Sequence, residues 1–393
     1  MKRIASLLLI TCLLLSGCMG SGTTVPSSEA PSTQATQTPT QSTTEPTTEP
    51  TTEPVTEPAT EPTTEPVTEP PVLYRHPLNG EVLDTPWTGR ATAVVINNLK
   101  SALPQHGVGD ADFVFEAETE GNITRMLAIF SDMTQVGPVG PIRSARTFFN
   151  NIALSYNAPL VHCGGSEFAL RGQYSISSDT ISGWQHTSID KVHFYRDQDR
   201  KNAGYAYEHT LFSSGELLNQ LMSKKGWNTE TPEGTDYGYT FDEAVKLDGD
   251  SAGTITVTFN GGKTTTMEYD INSGVYLASQ YDQPYVDGNT DQQLEFKNVI
   301  VLYTSHSFKA DTFYLRSFYD LDGSGKGYFA CNGHIIPIVW HRDALRSSFY
   351  YTLEDGTPIT LGVGKTYVAI VSDQKTIAYD PLSVPEDWLS GNS

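Results

Sequence analysis

Between Gly20 and Pro71 the chain is built from Ser, Thr, Gln, Pro and Glu, with almost nothing apolar. From Thr43 it settles into a four-residue Thr-Thr-Glu-Pro repeat, varied by Val55, Ala59 and Val67. Such a segment buries too little apolar surface to offset the entropy of ordering it, so a disordered tether is expected. Proline at every fourth position and regularly spaced carboxylates favour extension. At roughly 3.1 Å per residue, about 50 residues reach on the order of 150 Å. Any compact fold is therefore sought in residues 72–393.

Ahead of the tether, Lys2 and Arg3 precede an apolar run from Ile4 to Leu15. That run is too short to span a bilayer as a mature helix and has the layout of a secretory leader. Leu15-Ser16-Gly17-Cys18 resembles a bacterial lipobox. The resemblance implies cleavage before Cys18 and diacylglycerol on its sulfur. The organisation expected is a signal peptide over 1–17, a lipidated Cys18 and tether over 18–71, and a body anchored to the outer face of the cell membrane by lipid.

The whole chain carries a net charge of −21, and the body keeps −15 once the tether's eight glutamates and the leader's two basic residues are set aside. An acidic body argues against nucleic acid as a partner, and against docking flat on anionic lipid. It leaves room for a local basic pocket. Cys12 leaves with the leader and Cys18 is the lipid site, so Cys163 and Cys331 remain, either as a disulfide or as two buried thiols.

Along the body, Ala91–Asn98 reads as a buried strand. Residues 112–119 alternate, with Phe113, Phe115 and Ala117 on one face, which predicts a half-exposed strand. Gly121-Asn122 turns that strand into a partner over Ile123–Phe130. Ala145, Phe148, Phe149, Ile152, Ala153 and Tyr156 recur at helical spacing. Pro159–Cys163 reads as a short strand, Gly164-Gly165-Ser166 leads into a second helix with Ser166 as N-cap, and Leu211–Lys224 as a third helix capped by Ser213 or Ser214. After Gly226 threonine, tyrosine and valine dominate, and strands are expected at 254–259, 264–269, 298–304, 335–340 and 366–371. The class is α+β: a mixed sheet with helices over 72–226, then a mainly β region over 227–393.

The residues richest in possible chemistry lie around Arg143 and Arg146, three apart at a helix start and behind the Gly/Pro loop 137–141. Cations there oppose the helix dipole unless something compensates. One reading makes them an anion site with the Gly164-Gly165-Ser166 turn, since free N–H groups and guanidinium forks both bind anions. The other pairs them internally with Glu116, Glu118 or Glu120. Glu116, Glu120, Arg125, His162, Arg196 and His209 are the further groups such a pocket could include. The three glutamates have no regular metal-ligand spacing around them, so no metal is expected. Asp320–Gly325 reads as a hairpin turn rather than half a calcium loop.

Several stretches together resemble the YerB-like lipoproteins, a bacterial family of unknown function. They are Pro104-Gln105-His106-Gly107, Ala111–Glu116, Glu120–Arg125, Gly137–Arg146, Val161–Ser166, Phe194–Asp197 and His209, with Gly325–Tyr328 through Gly364–Tyr367 resembling the family's second region. The family usually carries Arg where this chain has Leu103. The resemblance implies an envelope lipoprotein with an α+β first region and a β-rich second region, and it implies no established activity.

Enzyme signatures are incomplete. Ser188-Ile-Asp-Lys191 lacks a following Lys-Thr-Gly. Gly262-Lys263-Thr264 and Gly364-Lys365-Thr366 lack the glycine of a phosphate loop, Val257 and Ile359 standing in its place. No cofactor is expected. The reading is a non-catalytic envelope module binding an anionic ligand, a wall component or a partner protein. The alternative is an envelope enzyme acting on a phosphorylated or carboxylated wall or lipid-linked substrate.

Overall fold

The computed structural model describes residues 73–170, 180–182, 192–227, 229–231, 237–260, 263–312 and 314–383. The leader, Cys18, the tether and the Ser188–Lys191 motif lie outside them. Residues from Glu69 onward group as one compact unit. The principal strands are β1 (Thr92–Asn97), β2 (Phe113–Thr119), β3 (Ile123–Phe130), β4 (Leu160–His162), β5 (Thr180–Ser182), β6 (Thr254–Asn260), β7 (Lys263–Asp270), β8 (Val275–Gln280), β9 (Asn298–Thr304), β10 (His306–Ala310), β11 (Leu315–Tyr319), β12 (Gly323–Cys331), β13 (His334–Arg342) and β14 (Thr366–Ser372). Four α-helices occur among the described residues: α1 (Thr147–Ser155), α2 (Glu167–Leu170), α3 (Gln198–Asn202) and α4 (Gly215–Lys224). All four precede Gly226, as expected, but strands dominate throughout, so the fold is mainly β with mixed sheets. Among the described residues no helix is long and apolar enough to cross a membrane.

One large mixed sheet runs in the order β13-β12-β9-β14-β2-β3-β1-β4-β5. It does not stop at the sequence boundary near residue 226. Strand β14 pairs in parallel with β9 on one side and β2 on the other, with Val368 opposite Phe115 and Ile370 opposite Ala117. The earlier and later sequence regions thus share a continuous hydrogen-bonded ladder. A second sheet is an antiparallel meander of β6, β7 and β8.

Strand β1 is buried at every position, as its unbroken apolar run requires of a strand covered on both faces. Phe113, Phe115, Leu127 and Ile129 pack on one face against Phe148, Phe149 and Ile152 of α1. Val114, Met126 and Ala128 pack on the other with Ile255, Val257 and Met267 of the second sheet and Leu218 of α4. This corrects the half-exposed reading of β2. Its polar-looking face is covered by the second sheet, and Glu116 there is fully buried. The β12–β13 hairpin turns through Asn332 and Gly333, both at positive φ (52° and 74°). That is the two-residue turn Asn-Gly favours.

Two local expectations shift. Leu211–Ser214 is a strand and the helix begins only at Gly215, with Ser214 Oγ accepting from Leu217 N. Gly215 is required there because a Cβ would fall 1.8 Å from the Met133 carbonyl oxygen. Asp320–Gly325 does not close a hairpin. It links β11 to β12, which lie in different sheets, and Asp322 forms an ion pair with buried Arg342 at 2.8 Å. Arg342 also donates from Nη2 to the Asn151 carbonyl and from Nε to Ser155 Oγ, placing a cation at the C-terminal turn of α1, where the dipole favours one.

Candidate functional site

The segment that follows the Gly/Pro loop, Ile142–Ala145, lies directly against the Gly164-Gly165 turn. Arg143 N donates to Val95 O and Cys163 N to Arg143 O, at 2.8 and 2.9 Å. Ala145 N then donates to Gly164 O at 3.0 Å, and Ser144 Oγ to Cys163 O at 2.9 Å. Segment 142–145 is therefore an extended strip between β1 and the end of β4. Gly164 sits at φ 70°, a conformation that favours glycine.

A cleft of about 760 Å³ opens over this strip. Arg143, Gly164 and Gly165 line it, joined by Arg196, Tyr207 and Glu208 from the 195–209 segment and by Tyr314 and Arg316 from the β10–β11 hairpin. The hairpin tip is held against α2: Glu167 Oε2 accepts from Thr312 N and Oγ1, and Asp311 Oδ2 accepts from Arg316 Nε at 2.6 Å.

The two arginines at the helix start separate. Arg146, the residue that caps α1, turns away from the cleft and donates from Nε to both oxygens of Glu120 at 2.9 Å and from Nη2 to Oε2 at 2.5 Å. Glu120 also accepts from Ser317 N at 2.8 Å. Among the described residues Arg143 has no such partner. It lines the cleft half-buried, and its buried Nε makes no hydrogen bond among the described residues. Of the internal pairings expected, the one with Glu120 forms, and it engages Arg146.

The remaining expected residues divide as follows. Arg196 lines the cleft. Arg125 is buried behind it, donating from Nη1 to Ser144 O at 3.0 Å, with Nε unpartnered among the described residues. Ser166 is buried and its Oγ accepts from Ala169 N, as the cap of α2. His162 is buried with Nδ1 2.6 Å from Gly164 O. His209 is buried between Asn97 Nδ2 and Ser101 Oγ. Glu116 lies away from this cleft, paired with Lys263 at 3.3 Å. Cys163 and Cys331 are free thiols. Tyr207, Glu208, Tyr314 and Arg316 went unrecognised in the sequence, because only the tertiary fold brings the hairpin and the 195–209 segment to the turn.

Cations outnumber anions along the cleft wall, with Arg143, Arg196 and Arg316 against Glu208. Burial pulls the Arg125 guanidinium well below its ordinary range, and the charges of Arg146 and Arg143 add to the effect. Burial likewise lowers Arg143, with Glu208 pulling back and Arg146 and Arg196 pushing further down. Guanidinium does not lose its proton in proteins, so these shifts record charge held at a cost. Burial raises the Cys163 thiol more than Arg196 and Arg143 lower it, which leaves it protonated and a weak nucleophile at neutral pH.

Residues 78–228 match the profile described as "Protein of unknown function (DUF3048) N-terminal domain", and residues 255–368 match the corresponding C-terminal domain. The chain is 28% identical over 288 residues to "Putative lipoprotein YerB" of Bacillus subtilis (strain 168), covering 72% of this chain and 82% of that one. The crystal structure of the YerB protein from Bacillus subtilis superposes with a TM-score of 0.66 at 28% identity, covering 77% of this chain and 99% of the other.

Proposed function

The chain belongs to the YerB-like lipoprotein family, and on that premise we propose that it is a surface-anchored envelope lipoprotein whose body binds an anionic ligand in the Arg143 cleft. The observation that carries this is the convergence of Arg143, Arg196 and Arg316 on one cavity, with Arg143 Nε buried and unpartnered among the described residues. A buried donor without an acceptor costs about 1–3 kcal/mol, which a bound anion recovers. Guanidinium forks match the oxygens of phosphate and carboxylate. Binding is preferred to catalysis because the cleft thiol, Cys163, is held protonated, and because the neighbouring imidazole of His162 is engaged by its own turn.

Two experiments address the two halves of the proposal. Cys18→Ala should abolish palmitate labelling and leave the protein in the medium or as uncleaved precursor, and labelling that persists would defeat the lipid anchor. Phosphate or sulfate should raise the melting temperature of the wild type with concentration. A ligand at 100 times its dissociation constant adds about 2.7 kcal/mol of stability. Arg143→Gln should remove that rise without lowering the melting temperature measured without anion. An undiminished rise in the variant would show that the anion sits elsewhere.

A further inference from the structure

Five guanidiniums gather along and behind the cleft, and two of them are neutralised. Arg146 is paired with Glu120 and Arg316 with Asp311, at 2.5 and 2.6 Å. The other three are Arg125, Arg143 and Arg196, and none of them forms an ion pair among the described residues. What meets them is neutral. Arg125, 5% exposed, donates from Nη1 to the Ser144 carbonyl and leaves Nε without an acceptor among the described residues. Arg143 leaves its own buried Nε in the same state. Arg196 donates from Nη1 to the Tyr207 carbonyl, and its Cζ lies 3.8 Å from the centroid of that ring. Against these three cations the cleft wall sets one carboxylate, Glu208, which is exposed. An excess of two positive charges, with Arg125 almost sealed from water, is costly to hold, and it stands out in a body that is otherwise strongly acidic.

Resting on the anion reading above, we infer that the ligand is a phosphate monoester, bound through its terminal phosphate. Such a group carries close to two negative charges at neutral pH and three acceptor oxygens. One of them cancels the excess. A carboxylate or a phosphate diester carries a single charge and two free oxygens, so either leaves one cation uncompensated. Arg143 and Arg196 meet the phosphate from the cleft wall. Arg125 adds its charge from behind the Ser144 carbonyl that it binds. The cleft, about 760 Å³, is far larger than one phosphate, and Ile142, Leu170 and Leu211 line part of the remainder. That is room for the esterified part of the molecule, in a cavity of the size that holds a whole small ligand.

Calorimetric titration of the full-length protein with methyl phosphate, dimethyl phosphate, acetate, inorganic phosphate and sulfate tests this. At pH 7.5 methyl phosphate should bind at least about tenfold more tightly than dimethyl phosphate or acetate, and no more weakly than inorganic phosphate. At pH 5 most of the monoester carries a single charge, its second pKa being about 6, so its affinity should fall about tenfold relative to sulfate. Sulfate keeps two charges at both pH values and so reports titration of the protein groups around the site, which are Glu208, His162, His209 and the Cys163 thiol. Arg196→Gln removes half of the excess charge and should cut the preference for methyl over dimethyl phosphate to about threefold or less, whereas Glu208→Gln should enlarge it. Equal affinity for methyl phosphate and dimethyl phosphate or acetate would overturn the monoester and leave the anion site standing. So would a monoester affinity that follows sulfate down to pH 5, a preference undiminished in Arg196→Gln, or clearly tighter binding of inorganic phosphate than of methyl phosphate. Failure of every anion to bind, or binding undiminished in Arg143→Gln, would instead remove the anion site itself.

Discussion

Replacing Lys263 by methionine should lower the free energy of unfolding by about 3–5 kcal/mol, the range for stranding one partner of a buried ion pair. Glu116 is 0% exposed and Lys263 2%. The carboxylate lies 3.3 Å from the ammonium. It also accepts from Asn98 Nδ2 and Thr124 Oγ1 at Oε1, and from Thr265 Oγ1 and Tyr367 OH at Oε2, at 2.5 to 2.8 Å. Lys263 in turn donates to Thr265 Oγ1 and Gln280 Oε1 at 2.8 and 2.9 Å. These groups come from β1, β2, β3, β7, β8 and β14, or from residues beside them, so the pair joins the second sheet to the centre of the large one. Burial pulls the lysine below its usual range more than Glu116 lifts it, so the charge is kept at a cost. Methionine fills the stem's volume and removes the cation alone. Adding Glu116→Gln should return much of the loss, because a neutral amide meets hydroxyls that can reverse their donor and acceptor roles. Urea unfolding at pH 7 with an unchanged m-value measures both. A cost under about 1 kcal/mol for Lys263→Met would mean that the four neutral donors alone hold the carboxylate.

This network also shows where the sequence stops being readable. The alternation of β2 correctly predicts a strand with two unlike faces, but periodicity reports only that the faces differ. Whether water or a second sheet meets the polar one depends on residues 254–280, more than a hundred positions away. Local signals served well wherever structure is locally determined. The apolar runs of β1, β9 and β14 and the Asn332-Gly333 turn lie where their residues place them, and the helical spacing of Phe148, Phe149 and Ile152 gives α1. Composition also marks a change of character after Gly226. It does not reveal that β14 inserts between β9 and β2, since such pairing leaves no mark in either segment alone. At the candidate cleft, Arg143, Arg196 and the two glycines are legible from an argument about anions and turns. Arg316 and Tyr314 are not, because an exposed hairpin carrying an arginine looks like many other hairpins.

Arg143 and Arg146 are alike in sequence, and the structure predicts opposite costs for losing them. Arg146→Gln should destabilise the protein by about 3 kcal/mol, at the lower end for a buried pair because the Glu120 side chain keeps 18% exposure against 4% for Arg146. Arg143→Gln should not lower stability by more than about 0.5 kcal/mol, and can raise it, because the substitution removes a buried donor that has no acceptor among the described residues. The Arg146 effect should also depend on pH, with a definite sign. Burial pushes the Glu120 carboxyl up, but its bonds to Arg146, that residue's charge, the Ser317 amide and Arg125 together hold it below the ordinary carboxylate range. A carboxyl depressed in the folded state adds stability that is present above its unfolded pKa, about 4.3, and is lost as pH falls through the folded value. Removing Arg146 takes away the largest favourable contribution and leaves burial in place. The gap in stability between wild type and Arg146→Gln should therefore be widest above about pH 5 and shrink as the solution is acidified, whereas Arg143→Gln should track the wild type throughout. Denaturant unfolding of the three proteins across that range decides it. Equal costs for the two variants, or a gap for Arg146→Gln that stays constant from neutral pH into acid, would show that the Arg146–Glu120 pair does not organise this end of α1.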